Sequence, residues 1–180
     1  QPISPNLLAR NFQTRGSGKV WVSDITYLVV EEGFLYLTVI LDLYDRKVVG
    51  WSLSETLRTE DTVLRAWYRA LTNRSMQKNF IFHSDRGVQY ASEAFRNVLK
   101  DFEVRQSMSR KANCWDNAVA ESFFKSLKTE AIYGHKLQNK KQMKALIFEY
   151  IEIWYNRQRR HSYLGYKTIV EVENQTKSSH

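Results

Sequence analysis

V-W-V-S-D-I-T-Y-L-V-V, residues Val20 to Val30, has the composition of a strand, because Val, Ile, Thr, Tyr and Trp suit a pleated, half-buried surface. Asp24 in its middle is the exception, since a carboxylate has no apolar face to pack. With a period of two, Val22, Asp24 and Thr26 share one face, and Trp21, Ser23, Ile25 and Tyr27 share the other. A buried carboxylate has to be paired, hydrogen-bonded or metal-bound. For one aspartate on one strand the ordinary reading is a salt-bridged structural residue, so the weight falls on what accompanies it.

Working outward, Glu31-Glu32-Gly33 signals a turn, Phe34 to Leu43 a second strand apolar enough for burial on both faces, and Lys47 to Ser54 a third. Such short connections predict an antiparallel meander. The spacing then predicts a helix from Thr59, read as its N-cap, with Val63, Ala66, Trp67, Ala70 and Leu71 inward. Phe80 to His83 is a short strand, followed by a helix opened by Ser92 that buries Phe95, Val98, Leu99 and Phe102, and a fifth strand near Val104 to Gln106. Ser107 to Trp115 has no period and is expected to be a loop. Two further helices are predicted, from about Asn117 to Tyr133 and from Asn139 to about Arg157, the second with Met143, Leu146, Ile147, Tyr150 and Trp154 inward. Crossover helices after a meander make the later strands parallel to the first, giving a mixed five-stranded α/β sheet flanked by helices.

The chain has 180 residues, 43% hydrophobic and 13% aromatic, which suits one domain with its own core. We divide it into a lead-in or linker (residues 1–18), a core (19–166) and a C-terminal tail (167–180). One cysteine, Cys114, excludes a disulfide framework and a cysteine-rich zinc site, and points to a reducing compartment. The apolar runs are too short to span a bilayer and the first residues have no signal-peptide pattern, so the expectation is a cytoplasmic protein with no membrane partner. Net charge is +8, and its location matters. Residues 1–104 carry 13 Lys or Arg against 12 Asp or Glu, whereas residues 105–167 carry 13 against 5. A basic excess confined to one third of a domain is the footprint of a polyanion-binding face.

Two more acidic positions stand out. Asp85 lies in H-S-D-R-G-V-Q-Y just past the fourth strand, in the crevice region beyond the ends of parallel strands, where Gly87 is expected to allow a sharp turn. In isolation that motif reads as an Asp turn bonded to its own backbone. Glu121 lies in D-N-A-V-A-E-S-F-F-K-S-L-K, where Ala120, Phe123, Phe124, Leu127 and Ala131 face inward and Glu121, Lys125 and Lys128 form another stripe. The plain alternative is an exposed Glu121–Lys125 pair worth about 0.3–0.5 kcal/mol.

Together, W-V-S-D-I-T-Y, L-D-L-Y-D-R-K-V-V-G-W, H-S-D-R-G-V-Q-Y, S-M-S-R-K-A-N-C-W-D-N-A-V-A-E-S-F-F-K-S-L-K and Y-N-R-Q-R-R-H-S-Y-L-G-Y resemble the catalytic subunit (OrfB) of bacterial insertion-sequence transposases encoded by two reading frames, a core similar to retroviral integrases. The resemblance runs from about Asn6 to Tyr166. Thirty-five residues separate Asp85 from Glu121, matching that family's Asp, Asp, thirty-five, Glu spacing. It implies a ribonuclease-H-like fold, with which the element order above agrees independently. It also implies that Asp24, Asp85 and Glu121 are catalytic and hold Mg²⁺ or Mn²⁺, two ions per site in the DNA-bound state. The implied reaction is cleavage of DNA at transposon ends followed by strand transfer of the 3′ hydroxyl. The expected partners are DNA, an upstream helix-turn-helix domain or subunit, and further copies of the chain assembled on DNA, in a bacterial, nucleoid-associated setting. Candidate DNA contacts are Lys125, Lys128, Arg110, Lys111, Arg157, Arg159 and Arg160.

Other conspicuous residues are assigned structural roles. Asp42 and Asp45 are expected to hold a turn, His83 to be a core or supporting histidine, and Asp116 or Asn117 to cap the Glu121 helix. Trp115, Tyr155 and Tyr163 default to the core, with base stacking as the alternative. The chain departs from the family in lacking a proline soon after L-G-Y and in having Ala112 and Val88 where glycine and a small polar residue are usual. No helix-turn-helix precedes the core, which suggests a catalytic fragment or the downstream-frame product alone. Two readings compete with a transposase core: a ribonuclease-H-like nuclease that cuts without joining, and an inactive DNA-binding or assembly module. A carboxylate-pair glycosidase fits the basic segment less well.

Overall fold

The computed structural model describes residues 3–7, 16–109 and 117–178. Its centre is a five-stranded sheet ordered β3-β2-β1-β4-β5, formed by β1 (Val20–Val30), β2 (Gly33–Asp42), β3 (Val48–Ser54), β4 (Ile81–Ser84) and β5 (Arg105–Met108). β1, β2 and β3 form the antiparallel meander, while β4 lies parallel to β1 and β5 parallel to β4. The mixed sheet expected from the sequence is therefore present. Residues Pro5 and Leu7 run beside β5: Met108 N–H donates to Pro5 O at 3.1 Å, and Leu7 N–H to Ser107 Oγ at 2.8 Å.

The alternation along β1 sorts two cores. Val20, Val22, Leu28 and Val30 join one, which is capped by α4 (Ala118–Leu127) and α5 (Lys140–Phe148). Trp21 joins the other, with α1 (Val63–Asn73) and α3 (Glu93–Asp101), the latter preceded by the single turn α2 (Val88–Ala91). Here Trp67 packs edge-on against Trp21 at 5.6 Å and Phe82 at 5.7 Å between ring centroids. Each such buried ring removes apolar surface worth a few kcal/mol, roughly 1.5–3. Gly50 lets α1 approach β3 closely, since a Cβ there would sit 2.3 Å from the Ala66 carbonyl oxygen and 2.8 Å from Ala70 Cβ.

Several expectations need correction. α1 begins at Val63 with Thr62 in the N-cap position, and Thr59, expected to cap it, lies before the helix because the intervening segment is held as a turn. Thr62 Oγ1 donates to Arg58 O at 2.8 Å, and Thr56 Oγ1 donates to Asp61 Oδ2 at 2.6 Å. Phe102, expected inside, lies past the end of α3 and is exposed, and Phe34 is exposed at the hairpin tip although the rest of β2 from Leu37 is buried. α4 continues as a π-helical segment, Lys128–Ile132, and α5 as another, Glu149–Gln158. The wider turn of a π-helix moves the inward face. Met143, Ile147, Ile151 and Tyr155 point to the core, and Trp154, assigned there from α-helical spacing, is exposed.

Asp42 and Asp45 do hold a turn. Asp42 Oδ2 accepts from Gly18 N–H at 2.7 Å and Arg74 Nη1 at 3.1 Å, and Asp45 takes two bonds of 2.9 Å from Arg74. Burial works against the Arg74 charge, but the bonds and charges of Asp45 and Asp42 outweigh it and raise its pKa. The stretch set apart as a tail forms β7 (Lys167–Thr168), paired with β6 (Arg160–His161), and α6 (Ile169–Ser178), whose Glu173 pairs with Lys47 at 3.2 Å. No helix among the described residues is long and apolar enough to cross a membrane.

Candidate active site

β1 and β4 are in register at Val22 and His83, so two residues further along each chain Asp24 and Asp85 stand side by side at the end of their pairing. Both line one hollow of about 380 Å³, together with Tyr27, Tyr36, Gln89 and Tyr90. Asp85 also makes the local turn expected of its motif, its Oδ1 accepting from Gly87 N–H at 2.8 Å. Gly87 itself has an ordinary φ of −57°, so it does not serve the sharp turn expected. What its missing Cβ provides is room, since an added Cβ would lie 2.9 Å from Asp85 Oδ1.

Burial raises Asp24 from 3.8 to about 7, and the neighbouring Asp85 and, less strongly, Glu121 push the same way. The Ile25 N–H, 2.8 Å from Asp24 Oδ1, and the Lys128 charge oppose the rise. Glu121 stands on the exposed face of α4, and partial burial raises its pKa. It thus acts on Asp24 through space without lining the same hollow, and no group of three His, Cys, Asp or Glu among the described residues is set to hold a metal ion. The chemistry of the donor set nonetheless suits a hard cation. Two carboxylates, one of them harder to ionise because of its surroundings, face a common space, and a divalent ion would relieve that repulsion.

Beneath the pair, Ser23 Oγ donates to Val39 O at 2.8 Å, so its partner at 2.8 Å, the Tyr90 hydroxyl, is the donor between them. Burial, with Asp24 next, raises Tyr90 well above its ordinary value, so it stays neutral and braces the hollow rather than exchanging protons. Sequence reasoning missed Tyr90. Its signal was a bulky phenol five residues past Asp85, but Ser23 as its partner depends on the crossover.

The basic candidates are dispersed. Lys125 is exposed on α4, and Lys128 reaches β1, its Nζ donating to Thr26 Oγ1 at 3.0 Å on the Asp24 face. Arg157 is exposed, and Arg160 donates to Tyr166 O at 3.1 Å. Arg159 is engaged with Glu130, Nη2 at 2.8 Å and Nε at 2.9 Å. That carboxylate also accepts from Trp154 Nε1 at 3.1 Å and the Tyr150 hydroxyl at 3.2 Å, so Glu130 ties the π-helical continuation of α4 to that of α5. Arg110, Lys111, Trp115 and Asp116 lie outside the described residues. Asn117 occupies the N-cap position of α4 without a side-chain capping bond. His83 is buried, with Nδ1 2.8 Å from Ser107 Oγ; Tyr155 is buried and Tyr163 exposed.

A mixed sheet in this strand order, with helices on both faces and acidic residues just past the end of the pairing between two parallel strands, is the architecture of a ribonuclease-H-like fold. The solved structures agree on the fold. The catalytic core domain of HTLV-2 integrase in complex with magnesium (trimeric form) is similar with a TM-score of 0.61 at 14% identity, covering 87% of this chain and 98% of that one. The catalytic domain of Mos1 mariner transposase is similar with a TM-score of 0.63 at 17% identity, covering 76% and 71%. Two family models described as integrase core domain match residues 14–114 and 121–176, and the chain belongs to the integrase core domain family. It is similar to transposase InsF for insertion sequence IS3A of Escherichia coli (strain K12), 45% identical over 173 residues, which is 96% of this chain. The chain spans 60% of the length of that relative.

Proposed function

We propose that this chain is the catalytic core of an insertion-sequence transposase, cutting DNA at transposon ends and joining the exposed 3′ hydroxyl to another strand. The observation that carries the reading is the pair Asp24 and Asp85 at one hollow, with Asp24 raised to about 7. In such a pair the repulsion between neighbouring carboxylates disfavours the charge on Asp24, and a bound cation would offset it. Asp24 and Asp85, joined by Glu121, would hold divalent Mg²⁺ or Mn²⁺, whose contribution when bound is to polarise a phosphoryl oxygen and neutralise charge built up during displacement at phosphorus. Asp24 would hold the ion as a carboxylate, while Tyr90 stays neutral and keeps the floor of the hollow in place. Lys125 and Lys128, on the helix that carries Glu121 and its continuation, would hold the backbone phosphates near the carboxylates, while the exposed Arg157 and Arg160 would contact DNA apart from them. The greater length of its relatives favours a further region in the whole protein, which would recognise DNA; assembly of copies on DNA and a cytoplasmic setting belong to the same reading.

The test is twofold. Nicking of supercoiled plasmid in Mn²⁺ should require the carboxylates, so nicking that persists in Asp24→Asn, Asp85→Asn and Glu121→Gln would overturn the site. A duplex with a pre-cut 3′ end should then be joined to a second duplex. Cutting with no joining would favour a nuclease instead.

A further inference from the structure

β1 outruns its parallel neighbour. Pairing with β4 ends at Val22 and His83, but β1 continues to Val30, so among the described residues no strand covers that edge beyond Asp24. Two hollows open along it. One is the hollow of Asp24 and Asp85; the other, of about 390 Å³, is lined by Lys128 and Lys136 and by apolar groups such as Ile132 and Leu137. Tyr27 belongs to both. It is 61% exposed, yet its ring is held edge-on to Phe34 across the hairpin, with centroids 5.5 Å apart at 89°. A large ring kept in water, in a fixed pose, between paired carboxylates and a lysine-lined hollow, has nothing in the core to pack against.

We propose that Tyr27 is a stacking platform for an unpaired nucleobase of the DNA strand whose phosphate is attacked at Asp24 and Asp85, with the backbone that follows running toward Lys128 and Lys136. The inference rests on the DNA-cutting function proposed above and adds a substrate state to it, a strand locally separated from its complement. Aromatic rings hold unpaired bases of any identity because every base has a π face, and a ring already positioned loses little entropy in doing so. Lys128 and Lys136 line the hollow on the far side of Tyr27, so a backbone leaving the carboxylate hollow past that ring meets positive charge there. A protein docked permanently on this ring would cover the carboxylates, which favours a transient occupant that is itself the substrate.

The test compares two oligonucleotides bound to the full chain: one with a splayed end of a few unpaired nucleotides carrying a fluorescent adenine analogue, the other fully paired. The wild type should prefer the splayed end and quench the analogue. Tyr27→Ala and Tyr27→Leu should reduce that preference about tenfold and abolish quenching, whereas Tyr27→Phe should retain both. Thermal melting of each variant reports its fold, and Tyr27→Leu keeps a strand-compatible side chain should alanine disturb the hairpin. Equal weakening on both oligonucleotides, or no change on either, overturns the proposal. So does a change in sedimentation with the DNA preference intact, which would assign the ring to contact between copies. Plasmid nicking by Asp24→Asn separates the two levels. If nicking needs Asp24 while the splayed-end preference ignores Tyr27, only this inference fails; if nicking ignores Asp24, the underlying function fails.

Discussion

Replacing Asp24 with asparagine should stabilise the metal-free protein, and by an amount that depends on pH in a defined direction. The folded state raises this carboxyl from 3.8 to about 7, chiefly by burial and then by Asp85. A carboxyl raised on folding contributes fully below the unfolded pKa and loses that contribution as pH climbs to the folded one. The wild type should therefore weaken relative to Asp24→Asn between about pH 4 and about pH 7 and run parallel to it above. At about 1.4 kcal/mol per pH unit, the displacement amounts to about 4 kcal/mol as an upper limit. Asp24 keeps some contact with solvent at the hollow, and screening there brings the expected difference to about 2 kcal/mol. Urea unfolding of both proteins across this range, in chelator, measures it. Adding millimolar Mg²⁺ at neutral pH should restore the wild type and leave the variant unchanged, since only the carboxylate exchanges its proton for the cation. A difference that stays constant with pH, or that grows toward acid, would refute the account of Asp24 as a carboxyl whose ionisation its site opposes.

Arg74→Ala leaves Asp42 and Asp45 buried without their cation and should cost about 3–5 kcal/mol in urea unfolding, with little sensitivity to salt. Glu130→Gln removes the charge that binds Arg159 and should cost about 1–2 kcal/mol at neutral pH. Burial works to raise Glu130, but bonds from Arg159, Trp154 and Tyr150 hold it below its ordinary 4.5, so this difference should be present above that value and vanish as pH falls through the lowered one. Gly50→Ala forces a Cβ to within 2.3 Å of the Ala66 carbonyl oxygen, and a melting temperature within a degree or two of wild type would contradict the close approach of α1 to β3.

The periodicities in this chain determined much of its architecture. Val20 to Val30 sorted its faces correctly because alternation in a strand is fixed by backbone geometry, and the meander followed from connections too short for a crossover. Asp42 and Asp45 were legible as turn residues for the same local reason. Asp24 was conspicuous as a carboxylate out of place in its strand, whereas Asp85 and Glu121 were singled out as catalytic only through the spacing of the family that the motifs resemble.

What adjoins what was decided only in three dimensions. The parallel register that sets Asp24 beside Asp85 depends on a crossover running through β2, β3 and α1, which no local pattern encodes, and so does the edge of β1 left without a strand past Val22 among the described residues. Trp154 turned outward because α5 continues in π geometry, which shifts the buried face away from α-helical spacing. Arg159 reads as a free phosphate contact in sequence and is bound to Glu130 in space. Short-range sterics act between neighbours in the chain and leave a pattern there, whereas electrostatic partnership is a matter of distance, and distance between remote residues exists only once the chain has folded.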